Sequence, residues 1–332
     1  MAIVRDIMPQ FELLQPASTE DTVALLARYG ADAWVLAGGL DSLDWFKDRI
    51  KRPKVVIDLS QVKELKGIHE VNGGLDIGAM TTLTEVALHP AVTERFDLLS
   101  HAAESVASPQ IRNQGTIGGN VSQDSRCWYY RNGWTCYRAG GNTCYGDTPE
   151  GMNREHAVYD AGECVTVNPS DTAPALVALD ARMVIRNARG TREAKAQDYF
   201  TGPDNDITRM TVLGPGDLLT AIRIPATWAG ACFYFEKVRD REVWDFPLVN
   251  VACAMILFGD RIDSMRLVVN AVAAHPVRLT HVEEAVRGKP RNEATAEMAG
   301  RLAIEGSRPL RHNSYKVTLV RNLVKRAVRG QD

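Results

Sequence analysis

The sequence predicts an α+β fold, in which strands and helices alternate through the first third of the chain and a series of strands precedes a helical tail. Two hydrophobic patterns lead to this class. KVVIDLS (residues 54–60) is short, apolar and rich in β-branched residues, which is typical of a buried strand, whereas STEDTVALLARYG (18–30) repeats apolar residues at helical spacing. Near residues 176–180 the alternation gives way to consecutive strands, and this change predicts a second domain.

The first third can be assigned element by element. Ser18 or Thr19 is the expected N-cap of the first helix, and Gly30 is its expected C-terminal end. AWVL (33–36) is a predicted strand that leads directly into a glycine turn. The next predicted elements are a strand in GLDIGAM (74–80) and a helix in TTLTEVALHPAV (81–92), capped by Thr81 or Thr82.

The remaining two thirds are richer in strands. A strand is predicted before the turn at 188–190, with a link after the turn. Further strands are predicted in DLLTAIRIP (217–225), CFYFEKVR (232–239), PLVNVACAMIL (247–257) and SMRLVVNAV (264–272), and helices in the segments 281–288, 294–306 and 314–330. We expect one domain at 1–177, with lobes at about 1–55 and 56–177, and a second domain at 178–332.

Composition excludes several classes of protein. The chain has 332 residues, a net charge of −2 and a pI near 6.4, and its basic residues form no stripe, so we expect no nucleic-acid partner. Apolar runs of the length that a membrane span requires are missing from the sequence. The first residues do not combine a basic segment with an apolar core, so we expect a cytoplasmic protein, unless it is exported folded with a partner.

Two glycine pairs carry the strongest general signal for ligand binding. LAGGLDS (36–42) follows a predicted strand, and GTIGGNVS (115–122) repeats the pattern. Consecutive glycines adopt dihedrals that side chains exclude, so several N–H groups can point at one anion. Neither segment matches the GxGxxG or GxxxxGK[ST] fingerprints. Each pair by itself is typical of a tight turn, and two pairs in one unit strengthen the case for a bound dinucleotide.

Four segments carry a resemblance to a known family. AGGLDSL (37–43), IRNQGTIGGN (111–120), PSDTAPALVALDA (169–181) and FEKVRDREVWDFPLVNVA (235–252) occur in this order and at about the family's spacing. In these segments the chain resembles the FAD-binding subunits of the molybdenum hydroxylases. That family includes the medium subunit of carbon monoxide dehydrogenase, the flavin domain of xanthine dehydrogenase, and the flavin subunits of bacterial aldehyde oxidoreductases and of 4-hydroxybenzoyl-CoA reductase.

The resemblance implies a two-lobed, vanillyl-alcohol-oxidase-like (PCMH-type) FAD-binding domain, followed by an α+β domain like the C-terminal domain of carbon monoxide dehydrogenase flavoproteins. FAD would lie extended between the lobes. Residues matched to the pyrophosphate loop are Ala37, Gly38, Gly39, Leu40, Asp41 and Ser42, acting largely through backbone N–H groups, and those on the other side are Thr116, Gly118, Gly119 and Asn120. Asp171 matches a position near the adenosine end or the phosphates, and Lys237 matches one near the flavin ring. Many relatives have Thr in place of Leu40, so only the backbone contact carries over there.

The resemblance also identifies an insertion, residues 121–169. In simpler relatives a short segment separates the GGN turn from the SD element, whereas 50 residues lie between Asn120 and Asp171 in this chain. The insertion contains Cys127, Cys136, Cys144 and Cys164. The other two cysteines, Cys232 and Cys253, fall in apolar predicted strands, where buried free thiols are expected.

Three explanations for the four cysteines compete. Disulfides suit an exported protein, but no export signal is evident. Structural zinc prefers close pairs such as CxxC, whereas the gaps here are eight, seven and nineteen residues. A [4Fe-4S] cluster needs four thiolates and tolerates an irregular loop, although the usual CxxCxxC run is missing. Spacing alone does not decide between them.

The resemblance favours the cluster. The flavin subunits of 4-hydroxybenzoyl-CoA reductase and of one group of bacterial aldehyde oxidoreductases carry such an insertion with a [4Fe-4S] cluster, and the stretch NREHAVYDAGEC (153–164) looks like the latter. The four cysteines would then be the ligands. Trp128, Tyr129, Tyr130, Trp134 and Tyr137 would shield the cluster from water, or simply pack the insertion. His156 is either a metal ligand or, more commonly for a lone histidine, a hydrogen-bonded filler.

The implied function is electron transfer, because flavin links two-electron reactions to one-electron carriers. The resemblance implies three partners: a molybdopterin-containing large subunit, a small subunit with two [2Fe-2S] clusters, and an external electron acceptor or donor. Alternatives are the same subunit working reductively, in dehydroxylation of an aromatic CoA thioester, and a flavin-free scaffold with zinc in the insertion. REVWDF (241–246) places Trp244 and Asp245 either near the flavin ring or in a plain turn before a strand.

Overall fold

The computed structural model describes residues 8–160 and 162–329. Expectations about residues 1–7, 161 and 330–332, among them the outer limits of both domains, lie outside that part of the chain. Across the described residues the chain forms three sheets with helices packed against them, and none of their helices is both long and apolar enough to cross a membrane.

The first lobe is a small parallel sheet with one helix packed on each face. Its strands are β1 (Glu12–Leu14), β2 (Ala33–Leu36) and β3 (Val55–Asp58), in the order β1-β3-β2, and its helices are α1 (Thr19–Tyr29) and α2 (Ser42–Lys47). Helix α1 begins at Ser18, whose side chain accepts the N–H of Asp21, and ends at Gly30, as predicted. Helix α2 begins directly after the glycine turn that follows β2.

The second lobe is an antiparallel sheet covered by helices. Its strands are β4 (Ile68–Val71), β5 (Gly74–Gly78), β6 (Arg182–Asn187), β7 (Gly190–Lys195) and β8 (Leu218–Ile224), in the order β4-β5-β8-β6-β7. Its helices are α3 (Leu83–Leu88), α4 (Pro90–Arg95), α5 (Asp97–Glu104), α6 (Pro109–Gln114), α7 (Ile117–Ser122), α9 (Thr172–Ala178) and α10 (Ala196–Tyr199). Helix α8 (Trp128–Arg131) belongs to the insertion and packs against the first lobe through Tyr130. The helix predicted over 81–92 is divided at Pro90, and its cap is Thr82, which forms a capping box with Glu85.

This sheet crosses the domain boundary that we expected between residues 177 and 178. Strands β6, β7 and β8 follow that position in the sequence, yet β8 pairs with β5 and β6 pairs with β8. The reason is burial, because Ile77, Met183 and Ile222 share one hydrophobic core. The second lobe therefore continues to Ile224 in the structure.

The C-terminal part consists of the predicted consecutive strands and helical tail. Its strands are β9 (Cys232–Val238), β10 (Val249–Phe258), β11 (Arg261–Asn270) and β12 (Val277–Arg278), in the antiparallel order β12-β11-β10-β9, and its helices are α11 (Thr280–Val286), α12 (Glu293–Ala303) and α13 (Tyr315–Arg329). Val251 and Leu267 of the sheet share a core with Leu323 of α13. The amphipathic tail thus buries its apolar face within the chain.

The second glycine pair is helical, so the prediction of a turn at residues 115–122 is wrong. Helix α7 begins after Thr116, whose hydroxyl accepts the N–H of Gly119 at 3.1 Å. A Cβ atom on Gly118 would lie 2.6 Å from the carbonyl oxygen of Ala79, so glycine is required there for close packing.

Candidate functional site

A cavity of about 560 Å³ lies between the two lobes, and its volume is in the range of cofactor sites. Its walls come from the loop between β2 and α2, from α6 and α7, from residues 208–217 and from the loop before β10. Of the residues matched to FAD contacts, the cavity is lined by Ala37, Gly38, Gly39, Leu40, Asp41, Ser42, Thr116, Gly119, Asn120 and Asp171. Gly118 and Lys237 lie behind its walls.

The loop between β2 and α2 presents a row of unpaired N–H groups. No acceptor in the described part of the chain binds the N–H groups of residues 37 to 41. Gly39 has φ +80°, a left-handed conformation that favours glycine. A Cβ atom on Gly38 would lie 2.3 Å from the carbonyl oxygen of Gln114, so the loop also depends on close contact with the end of α6. Consecutive unpaired N–H groups form an anion-binding surface.

The opposite wall, residues 116–120, differs in this respect. The N–H groups of residues 117 to 120 all donate to acceptors within the chain, at 2.9 to 3.1 Å. The side chain of Asn120 is also engaged, because its oxygen accepts from the hydroxyls of Ser170 and Thr172 at 2.6 Å each. This wall therefore offers no free N–H group among residues 117 to 120 and bounds the cavity by its shape. Asn120 links the two residues that flank the end of the insertion to its beginning.

Asp171, which lines the cavity, forms a buried ion pair with Lys237 behind it. The Lys237 ammonium donates to Asp171 at 2.6 Å and to the carbonyl oxygens of Ser105 and Asp245 at 3.0 and 2.8 Å. The side chains of Lys237 and Asp171 are 2% and 4% exposed. Burial raises the pKa of the Asp171 carboxyl, and the Lys237 ammonium opposes that rise. All three ammonium hydrogens of Lys237 are thus used within the chain.

Two arginines of the insertion bind Asp41 in the glycine loop. Arg126 donates to the Asp41 carboxylate at 2.9 Å, and Arg131 donates to the same oxygen while its guanidinium lies 3.9 Å from the centre of the Trp45 ring. Arg126 also lies 4.5 Å above the ring of Phe246, which lines the cavity from the C-terminal part. The insertion therefore contacts the glycine loop directly and neutralises its carboxylate.

Trp244 and Asp245 lie at the outer edge of the same cavity. Trp244 has φ +53°, its N–H donates to the carbonyl oxygen of Ala107 at 2.7 Å, and its side chain is 68% exposed. A non-glycine residue in this conformation is strained. An exposed aromatic side chain held on such a turn is accessible to a molecule that approaches the cavity from solvent.

The insertion packs between the first lobe and the C-terminal part. Tyr130 and Cys136 share a core with Trp45 and Phe46 of α2. Val158 belongs instead to the core under the C-terminal sheet, and its N–H donates to the carbonyl oxygen of Val272 at 2.8 Å. The insertion is therefore an integral layer of the fold.

The four cysteines of the insertion line one small cavity. Its walls include Cys127, Cys136, Cys144 and Cys164, together with Tyr129, Tyr130, Tyr137, Arg138, Tyr145 and His156. The cavity measures about 10 Å³ with the side chains as they stand. All six cysteines lie within the described residues and are free thiols. Burial raises the pKa of the Cys127 thiol to about 12 and that of the Cys164 thiol to about 11.

Two polar atoms at this cavity have no partner. Among the described residues, Nδ1 of His156 and Nε of Arg138 are buried without a hydrogen bond. The rest of the Arg138 guanidinium binds Asp124 and the carbonyl oxygen of Ile207. No three His, Cys, Asp or Glu side chains in this part of the chain converge tightly enough to hold a single metal ion.

The start of α13 fixes the insertion from the other side. The amide nitrogen of Asn313 donates to the carbonyl oxygens of His156 and Ala157, both at 3.0 Å. The ammonium of Lys316 donates to the carbonyl oxygens of Glu155 and Ala271, both at 2.8 Å. Burial lowers the pKa of Lys316 to about 7. Burial is also the main reason why the pKa of His156 is lowered to about 4, and the nearby charge of Lys316 lowers it further.

Lys316 makes the stability of the cofactor-free subunit depend on pH. Its pKa is about 7 when folded and 10.5 when exposed, so between these values the unfolded chain binds more protons and the free energy of unfolding rises with pH. We expect a rise of up to about 2 kcal/mol from about pH 7 to about pH 8.5, measured by urea denaturation. Above that range the buried thiols of Cys127 and Cys164 act in the opposite direction, because folding raises their pKa.

The control for this dependence is Lys316→Met. The charged groups acting on Lys316 are Glu155 and Arg154, and His156 stays neutral over the range. The variant is expected to lack most of the rise. Equal slopes of the unfolding free energy against pH in both proteins would contradict the assignment to Lys316.

Several of these residues were not identified from the sequence. Arg126, Arg131 and Arg138 carried no signal beyond their position next to the cysteines, and Asn313 and Lys316 lie far from the insertion in sequence. Charge within a cysteine-rich loop is the one sign that points to such residues before the structure is known.

Comparison with protein families identifies both parts of the chain. The model described as FAD binding domain in molybdopterin dehydrogenase matches residues 9–227, and the one described as CO dehydrogenase flavoprotein C-terminal domain matches residues 233–330. Together with the two-lobed fold, these matches define a flavin-binding oxidoreductase component. The α+β class and the predicted pair of domain types are confirmed.

Individual relatives agree with the family models. The chain is 29% identical to the carbon monoxide dehydrogenase medium chain of Hydrogenophaga pseudoflava over 97% of both chains, and 34% identical to the aldehyde oxidoreductase FAD-binding subunit PaoB of Escherichia coli over 79% of this chain and 81% of that one. A structure of the Hydrogenophaga pseudoflava carbon monoxide dehydrogenase that lacks the Mo-pyranopterin moiety superimposes with a TM-score of 0.78 at 29% identity, covering 97% of both chains. The chain belongs to the family of FAD-binding subunits of the molybdenum hydroxylases.

Proposed function

We propose that this chain is an electron-transfer subunit that carries FAD between its lobes and a [4Fe-4S] cluster in its insertion, within a molybdenum-dependent dehydrogenase. The observation that supports both cofactors at once is the position of residues 124–127. Asp124 and Arg126 line the large cavity, and Cys127 lines the thiol cavity. A single short segment thus separates the two proposed sites.

FAD is proposed to bind with its pyrophosphate on residues 37–42. The unpaired N–H groups of residues 37 to 41 support this role, because a pyrophosphate accepts several hydrogen bonds from one loop. Thr116, Gly119 and Asn120 form the facing wall, and Gly118 allows α7 to pack closely behind it. When bound, FAD supplies the exchange between two-electron and one-electron chemistry.

Asp171 and Lys237 have different proposed roles. Asp171 lines the cavity and is held in place by Lys237 and by the amide of Asn250, at 2.6 and 3.0 Å. Lys237 has no ammonium hydrogen left for a ligand, so we assign it to holding Asp171 and the loop at Asp245 in position. Direct contact between the Lys237 ammonium and the flavin ring would require one of these bonds to break.

The thiol cavity suits a four-iron cluster in its donor set. Each thiolate of such a cluster binds a different iron atom, so the four sulfurs need not converge on one point. The volume of about 10 Å³ means that the lining side chains must move apart when the cluster binds. The cluster would supply one-electron storage beside the flavin.

Charge around the cavity also supports a cluster. Four thiolates bring net negative charge, and Arg138, whose side chain is 2% exposed, lies at the same cavity with an unpartnered Nε. Its partner Asp124 also pairs with Lys51 at 3.2 Å, and Glu163 lines the same cavity. A buried guanidinium with a free Nε can donate to a thiolate and offset part of its charge.

The proposal includes the other components of the complex. A molybdopterin-containing large subunit carries the substrate chemistry, a small subunit with two [2Fe-2S] clusters relays electrons, and an external acceptor or donor exchanges them with FAD. An aldehyde or an aromatic heterocycle is the proposed class of substrate, by analogy with the aldehyde oxidoreductase relative and with a nicotinate dehydrogenase FAD-subunit that is 28% identical. Six free thiols suit a reducing compartment, and so we propose the cytoplasm.

The test of the cluster is Cys136→Ser in the complex purified without oxygen. We expect iron in excess of the two [2Fe-2S] centres, a [4Fe-4S] signal in low-temperature EPR of the reduced wild type, and loss of that signal alone in the variant. Cys232→Ser, at a half-buried cysteine outside the insertion, is the matched control and should keep the signal.

Two outcomes would contradict parts of the proposal. Zinc in place of the excess iron, or no metal beyond that of the small subunit, would contradict the proposed cluster. The proposed FAD site would not be affected by that result. A complex that purifies without flavin and does not take up FAD would remove the flavin site. The midpoint potential of the cluster then separates the oxidative direction from the reductive one.

A further inference from the structure

The imidazole of His156 contacts one of the four thiols of the insertion. Its Nε2 atom is 3.3 Å from the sulfur of Cys127, and the side chain is 4% exposed. Gly146 leaves room for this approach, because a Cβ atom there would lie 3.1 Å from Cδ2 and Nε2 of His156. The glycine at position 146 therefore permits the contact.

The direction of the hydrogen bond follows from the groups involved. A neutral imidazole has one N–H, on either nitrogen. Nδ1 of His156 has no partner in the described part of the chain, and a buried N–H without an acceptor is rarer than an acceptor without a donor. The hydrogen is therefore best placed on Nε2. A Cys127 sulfur bound to iron carries no proton and only accepts.

The backbone on either side of His156 is held by hydrogen bonds within the chain. The N–H of His156 donates to the carbonyl oxygen of Asn153 at 3.1 Å, and its carbonyl oxygen accepts from Asn313. The side chain of Asn153 in turn accepts the N–H of His312 at 2.9 Å. Residues before and within α13 thus hold the loop that carries the imidazole.

We propose that His156 is a positioning residue that donates its Nε2–H to the Cys127 sulfur and so raises the reduction potential of the cluster. The proposal rests on the [4Fe-4S] site proposed above. A hydrogen bond to a thiolate sulfur stabilises the added negative charge of the reduced cluster more than the oxidised form. His156 would then set how readily the cluster takes an electron, without binding iron.

The experiment is an EPR-monitored redox titration of the holo complex with His156→Phe and His156→Gln. Phenylalanine has similar bulk and no donor, whereas the glutamine amide retains an N–H. We expect full iron content in both, a potential in His156→Phe lowered by about 59 mV, which is a tenfold change for a one-electron couple, and a potential in His156→Gln nearer the wild type. An unchanged potential in His156→Phe would overturn the inference.

The wild-type complex separates failure of this inference from failure of the cluster proposal. A wild type without [4Fe-4S] iron contradicts the proposed function, whatever His156 does. A wild type with the cluster and a His156→Phe variant that folds and binds FAD but loses iron would make His156 a ligand, and this also overturns the inference.

A measurement without any substitution covers the case in which the variants do not fold. Pulsed EPR of the complex labelled with ¹⁵N-histidine is expected to detect a weak nitrogen coupling to the reduced cluster, as a hydrogen bond through sulfur requires. A strong coupling would indicate direct ligation of iron, and no coupling would indicate no contact. Either result would overturn the proposal.

Discussion

Replacement of Lys237 by methionine is expected to lower the free energy of unfolding by about 3–5 kcal/mol, because it leaves the carboxylate of Asp171 buried without its cation. The substitution also removes the bonds from the ammonium to the carbonyl oxygens of Ser105 and Asp245, which connect α5 with the loop at the edge of the cavity. FAD affinity should fall as well, since Asp171 and Asp245 both line that cavity. Urea denaturation and flavin titration measure the two effects.

Two variants serve as controls for this result. Lys54→Met breaks a surface pair with Asp32 in which the side chains are 76% and 54% exposed, and it should cost no more than about 1 kcal/mol. The double variant Lys237→Met, Asp171→Asn removes both charges and should recover part of the loss. A Lys237→Met protein as stable as the wild type would show that Asp171 does not depend on this cation.

The second large effect is expected from Gly38→Ala. The added methyl group would lie 2.3 Å from the carbonyl oxygen of Gln114, so the glycine loop and the end of α6 must move apart. Such overpacking typically costs about 1–3 kcal/mol. If the displacement changes the direction of the N–H groups of residues 37 to 41, the Kd for FAD rises about tenfold to a hundredfold.

Leu40→Ala is the matched control in the same loop. The side chain of Leu40 is 42% exposed, and its proposed contribution to FAD binding is through the backbone. The variant should therefore bind FAD with nearly unchanged affinity in a flavin-fluorescence titration of the apo complex. If Leu40→Ala weakens FAD binding as much as Gly38→Ala does, the side chain at position 40 is part of the site and the backbone account is incomplete.

Local signals in the sequence predicted the elements that depend on local physics. Ser18 and Gly30 marked the ends of α1, because capping involves residues within one turn of each other. The strands β9, β10 and β11 followed from their apolar runs, since burial of a sheet requires such runs whatever packs against it.

Predictions failed where a local pattern has more than one solution. GTIGGNVS suggested a turn, because consecutive glycines adopt dihedrals that side chains exclude, but Gly118 is required by its close contact with Ala79. The boundary near residue 178 was inferred from a change of pattern, whereas the sheet is completed by strands that follow this change. The hydrophobic pattern of one strand does not show which distant strand it pairs with.

The sequence by itself determined the class of fold, the glycine loop and the presence of four cysteines in one insertion. The tertiary structure decided that these cysteines line one cavity, that Lys237 pairs with Asp171 and that His156 reaches Cys127. The physical reason is the range of the interactions. Caps and hydrophobic periods act between neighbours in the chain, whereas ion pairs, cavities and hydrogen bonds to a thiol join residues that only folding brings together.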